Sequence, residues 1–147
     1  MRFTGISGIC IFGLLAATAI GQQNKPNFSG KWQANTEKCQ LHSGNTSIVS
    51  LTIEQKGPSI HVVKGLEIAG KKSVVEFTCT TDGKDCDANG TKVSLWYSGA
   101  SLVEMEVSDA AVTSISLTLA GDAKSIDATV KYISPKTDDD TMVFDKL

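Results

Sequence analysis

From Lys31 onward the chain keeps a rhythm of two: apolar and polar side chains alternate in short segments that recur roughly every ten residues. The segments are 31–35, 47–55, 60–68, 73–80, 92–97, 102–107, 112–119, 126–132 and 141–145. Val49, Leu51 and Ile53 alternate with Ser50, Thr52 and Glu54. Ile60, Val62, Leu66 and Ile68 share one phase of the next segment, with His61, Val63 and Glu67 on the other. Turn residues punctuate the series at Lys56-Gly57-Pro58, Ala69-Gly70-Lys71, Asp82-Gly83, Asn89-Gly90, Ser98-Gly99-Ala100 and Ala120-Gly121-Asp122. Asp82-Gly83 is the strongest hairpin signal, and no segment of the repeating region has helical periodicity over more than a turn or two. An antiparallel meander this long exposes its edge strands unless it closes on itself. The expected fold is therefore all-β, a single up-and-down barrel of about eight or nine strands, with a two-sheet sandwich as the alternative.

The first 21 residues read differently. Arg2 precedes an apolar run, Ile6 to Ile20, that is short for a membrane span and ends in small residues. This is the pattern of a secretory signal peptide, with cleavage expected before Gln22, or after Ala19 as second choice. Cys10 leaves with the leader. The remainder divides into a polar arm, 22–27, expected to be mobile or a short strap, and one domain, 28–147. It keeps 13 lysines against 16 acidic residues, a net charge of −3, and has no arginine. Without a basic block, nucleic acid is not an expected partner. Once the leader is removed, membrane insertion is not expected either. A secreted or periplasmic monomer follows.

The domain opens on Phe28-Ser29-Gly30-Lys31-Trp32. Gly30 allows close backbone approach, and Trp32 supplies a large apolar plate suited to plugging one end of a barrel. This opening, followed by a meander, resembles the calycin group of lipocalins, fatty-acid-binding proteins and avidins. With Thr81-Asp82-Gly83-Lys84, Trp96-Tyr97-Ser98-Gly99, Leu102 and Val143-Phe144-Asp145-Lys146, the chain is similar to small secreted bacterial lipocalin-like proteins over nearly its whole mature length. The resemblance implies a late-strand arginine over the motif tryptophan. This chain offers Lys146 as the nearest substitute.

A barrel of this size either fills its interior or holds one small ligand. The interior candidates are Val49, Leu51, Ile53, Val62, Leu66, Val75, Phe77, Leu95, Met105, Ile115 and Leu117. Met105 enters that set because Val103, Met105 and Val107 form the more apolar phase of their segment, against Leu102, Glu104 and Glu106. Trp96 alternates against Val93 and Leu95, and its direction depends on which phase faces in. One functional reading is a non-catalytic binding protein for a small apolar or amphipathic molecule. The other is a structural or protein-interaction barrel, such as a protease-inhibitor module, with a filled interior and a protein partner.

No serine, cysteine or carboxylate stands in a recognisable catalytic motif, so an enzyme is not expected. His42 and His61 lack the companions of a zinc or haem site, and Asp138-Asp139-Asp140 lacks the ligand spacing of a calcium loop, so neither metal nor cofactor is expected. Asn27, Asn45 and Asn89 head Asn-x-Ser/Thr triplets. Three cysteines remain after the leader. Cys79 and Cys86 lie symmetrically about Asp82-Gly83 and are expected to bridge a hairpin, leaving Cys39 as a free thiol.

Overall fold

A computed structural model describes residues 24–42 and 46–147. The signal-peptide expectation and Asn45 lie outside the described residues. Ten strands form one antiparallel sheet: β1 (Gly30–Ala34), β2 (Thr46–Lys56), β3 (Ser59–Ile68), β4 (Lys71–Thr80), β5 (Cys86–Ala88), β6 (Thr91–Ser98), β7 (Ser101–Val107), β8 (Val112–Leu119), β9 (Ser125–Ser134) and β10 (Asp140–Lys146). A single 3₁₀ turn, Thr36–Lys38, follows β1. Across the sheet the order is β4-β3-β2-β1-β10-β9-β8-β7-β6-β5. Consecutive strands pair throughout except β4 and β5, and β1 also joins β10; β4 meets β5 and β6 without a ladder. The result is a nearly closed barrel with one seam. One more strand is present than the alternation shows, because β5 has only three residues and carries no readable period.

The seam explains the cysteines. Cys79 pairs across β4 with Ile60 of β3, and Cys86 pairs with Val93 of β6, so the two are not opposite one another in a hairpin. The chain between them leaves the sheet edge. Asp82 bridges to Trp96, and the Gly83 amide donates to the Leu95 carbonyl at 2.9 Å. Asp82-Gly83 is thus part of a crossing loop, in which the Asp82 carboxylate accepts from the Thr80 hydroxyl and the Lys84 amide. Cys79 and Cys86 meet across the seam at disulfide distance, with Cα atoms 5.5 Å apart. The other Asx-Gly pair does make its hairpin: Asn89 and Gly90, both at positive φ, connect β5 to β6.

The core sits inside the barrel and is densest at one end. Phe28, Trp32, Ile53, Ile60, Leu95, Ile126 and Phe144 are each at most 1 % exposed, so this end is closed by side chains. Burying aromatic and branched side chains of this size contributes roughly 1.5–3 kcal/mol each relative to leaving them exposed. The Trp32 indole donates to the Phe28 carbonyl at 3.0 Å, which satisfies its one polar group inside the plug. Gly30 has φ +149°, and a Cβ there would stand 3.1 Å from Lys146 Cε, so the sheet needs glycine at this point. Residues 24–27 form the strap of the two forms expected for the arm. The Tyr97 hydroxyl donates to the Pro26 carbonyl, Gln55 Nε2 donates to the Tyr97 hydroxyl at 2.7 Å, and the Phe28 amide donates to Gln55 Oε1.

Candidate functional site in the barrel

Leu51, Ile53, Val62, Phe77, Leu95, Ile115 and Leu117 come together as one buried cluster, with Leu66 and Val75 half-buried toward the opposite, more open end. Two of the interior candidates are placed otherwise. Met105 pairs with Ser94 and Ser114, on the outer face, because the phase of β7 that enters the barrel is Leu102, Glu104 and Glu106. Val49 is the unpaired residue of a β-bulge: Ile48 pairs with Leu66 and Ser50 with Gly65, and Ile48 takes the buried position. Gly65 accommodates that bulge, since a Cβ there would fall 2.3 Å from Ser50 Oγ. Ile68, in phase with Val62, runs past the end of the core and is exposed.

Trp96 lies on the outer phase of β6, since Val93 and Leu95 are buried, and it pairs with Val103. Lys146 is the direct partner of Trp32 across β1 and β10, with its Nζ 5.4 Å from the centroid of the indole. His61 lies on the outer face against Thr78 and Glu76. His42 lies beside the β9–β10 connection, where its amide donates to Asp140 Oδ1. Asp140 itself is buried and also accepts from the Tyr132 hydroxyl at 2.7 Å. Among the described residues no three His, Cys, Asp or Glu side chains gather as metal ligands would.

Three charged side chains in the middle of the barrel escaped the sequence reading. Lys64 of β3 is 3 % exposed, and its Nζ meets Glu104 Oε1 at 2.5 Å and also Glu106 Oε1, both from β7 across the interior. The Phe77 ring lies 5.3 Å from the same Nζ. Burial pushes the Glu104 carboxyl up to about 8, against the opposing charge of Lys64, and its hydrogen bond to Glu106 adds to the rise. Burial also acts to raise Glu106, but the hydrogen bond from Glu104 and the Lys64 charge outweigh it and hold that group below the usual carboxylate range. Burial acts to lower Lys64, yet the two carboxylates outweigh it, and the ammonium titrates above the ordinary lysine value. The two glutamates behave as a pair that shares one proton beside a permanent cation. A sequence signal existed: Lys64 is in phase with Val62 and Leu66, and Glu104 with Leu102.

At the open end, a hollow of about 240 Å³ lies beneath the β1–β2 connection, lined by Ala34, Thr36, Cys39, Leu41, Ser47, Ile48, Val49 and Met142. Cys39 is the free thiol among the described residues, half-buried, and donates to the Asn35 carbonyl. Apart from that hydrogen bond, most of what this hollow offers a visitor is hydrocarbon.

No family model and no curated protein sequence matches the chain. Solved structures do. The REP1-NXSQ fatty acid transporter superposes with a TM-score of 0.57 at 12 % identity, covering 82 % of this chain and 96 % of that one. Fatty-acid-binding protein 1 of Echinococcus granulosus gives 0.57 at 15 % identity, over 82 % and 97 %. The wild-type fluorescent protein UnaG gives 0.57 at 16 %, over 82 % and 97 %. The fold they share with this chain is the antiparallel, up-and-down β-barrel of calycin-type proteins. At such low identities the likeness is one of fold, and the nearly complete coverage of those chains means that it extends over the whole barrel.

Proposed function

We propose that the protein is a secreted, non-catalytic binding protein that holds a small apolar or amphipathic molecule in the open half of its calycin-type barrel. The observation that carries this reading is the apolar hollow beneath the β1–β2 connection. Its volume, about 240 Å³, is slightly below the usual range of roughly 300–1,000 Å³ for drug-sized ligands, which favours a small or partly engulfed molecule. The structural neighbours named as fatty-acid transporters and fatty-acid-binding proteins support the same class. The cysteine pair across the seam and the leader-like residues 1–21 both favour an oxidising, extracytoplasmic location. The domain is taken as 28–147, with 22–27 as the arm.

The closed half favours a second reading, a protein-interaction barrel, because its interior is filled by Trp32, Phe28 and Phe144 and leaves a ligand only the other half. Native mass spectrometry of the chain purified from its source separates the two. A bound molecule of low mass supports the binding protein. A bare chain that also takes up no medium-chain amphiphile in calorimetry overturns it.

A further inference from the structure

We propose that Lys64, Glu104 and Glu106 form a selectivity filter that turns carboxylate-headed amphiphiles away from the barrel and admits uncharged ones whose head is a hydroxyl or amide. The inference rests on the binding-protein reading and narrows it to a ligand class. It follows from charge balance inside the barrel. Lys64 is the one buried lysine among the described residues, and both β7 glutamates already hold it. An ammonium has three N–H donors, and here two are engaged by the Glu104 and Glu106 side chains while the Phe77 ring flanks the nitrogen.

Among the described residues no second cation is buried with the cluster. Glu104 is flanked on the sheet by Leu95 of β6 and Ile115 of β8, and Glu106 by Val93 and Thr113. Lys64 is flanked by Leu51 of β2 and Val75 of β4. The other buried charged residue among the described ones, Asp140 of β10, is an acid already receiving hydrogen bonds from Tyr132 and His42. A ligand carboxylate arriving here would therefore add a negative charge where the one ammonium is already balanced within the glutamate pair, in surroundings that screen charge poorly. A hydroxyl or amide brings no charge and can still donate to a glutamate oxygen. The cluster is not sealed from solvent: the Glu106 side chain is 27 % exposed, against 3 % for Lys64 and 6 % for Glu104.

Octanol and octanoate, matched in chain length, test this in isothermal titration calorimetry on the full mature chain at pH 7. Octanol should bind at least about tenfold more tightly than octanoate, a difference of about 1.4 kcal/mol. In Glu104→Gln/Glu106→Gln, where Lys64 keeps its charge and loses both acidic partners, the order should reverse. Glu106→Gln alone should narrow the gap. Lys64→Met should gain no octanoate binding. Equal or tighter binding of octanoate by the unaltered chain overturns the filter and leaves the binding-protein reading standing. Binding of neither ligand overturns both. A double variant that is folded by circular dichroism and still prefers octanol shows that the glutamates do not set the selectivity. If the double variant does not fold, the ratio for the unaltered chain and the Glu106→Gln result decide alone.

Discussion

The two halves of the barrel solve different problems with the same strands. In the closed half, Phe28, Trp32, Ile60, Ile126 and Phe144 leave almost no surface exposed, and the polar atom of the plug, Trp32 Nε1, is paired within it. In the open half the inward positions pass to Lys64, Glu104, Glu106, Tyr132 and Asp140, with half-buried Leu66 and Val75 between them. Apolar burial stabilises without regard to direction, whereas buried charges cost free energy unless they are paired in a fixed geometry. The comparison teaches that stability is concentrated where the interior is filled, and that the open half is organised by polar side chains whose arrangement is specific.

The comparison breaks first if the halves respond alike to truncation. Phe144→Ala removes a fully buried ring from the plug and should cost about 4 kcal/mol in denaturant unfolding, while Val75→Ala in the open half should cost about 1 kcal/mol. Similar losses at the two positions would mean that the open half is packed as tightly as the plug. The next largest effect lies in the charged cluster. Lys64→Met leaves Glu104 and the half-buried Glu106 without their cation and should cost about 3 kcal/mol. Replacing the whole cluster, Lys64→Met with Glu104→Leu and Glu106→Leu, should recover most of that loss, because the desolvation of all three polar groups disappears together. If the triple variant is as unstable as the single one, packing and not charge pairing holds this layer.

The closed half was the legible one. Phe28 to Trp32 announced the plug, strict alternation placed Leu51, Ile53, Val62 and Phe77, and Asn89-Gly90 marked a true hairpin. The open half was hidden for specific reasons. Hydrophobicity points the wrong way on β7: its more apolar phase, Val103 and Met105, faces out, because the glutamates facing in are compensated by a lysine 40 residues away in sequence that no local window sees. On β2 one extra residue at the bulge exchanges the roles of Ile48 and Val49, and nothing in an Ile-Val pair reveals it. Asp82-Gly83 carries the composition of a hairpin turn, but the seam makes its flanking segments partners of different strands. The cysteine pair was therefore visible in the spacing, while its place across the seam was not.

The charged layer should also give the protein a pH dependence that the plug lacks. Between the ordinary glutamate value of 4.5 and about 8, the folded chain keeps a proton on Glu104 that the unfolded chain has lost. Stability should therefore fall as pH rises through this window, by on the order of 1 kcal/mol per pH unit at its steepest. The other two members do not reverse the trend. The lowered Glu106 contributes stability that is lost only as pH falls through its folded value, below the window. The raised Lys64 contributes stability that is lost only as pH rises through its folded value, above it. Urea midpoints from pH 5 to 8.5, a range chosen to span roughly the Glu104 titration, should decline for the unaltered chain and flatten in Glu104→Gln. An unchanged slope in that variant would assign the decline to other groups.

The smallest effect sharpens the comparison at the closed end, where one charge does approach the plug. Lys146 stands on the last strand directly opposite Trp32, its Nζ 5.4 Å from the ring centroid, and its Cε touches the space left by Gly30. The ammonium remains in contact with water, unlike that of Lys64, so it bears little desolvation cost and its attraction to the indole face is modest. Lys146→Met keeps the stem that covers the ring and removes only the charge. It should cost about 0.5 kcal/mol and alter Trp32 fluorescence while leaving the pH slope set by Glu104 unchanged. A loss as large as that of Lys64→Met would mean that this cation is structurally buried too, and that the two halves differ less in their use of charge than their burial indicates.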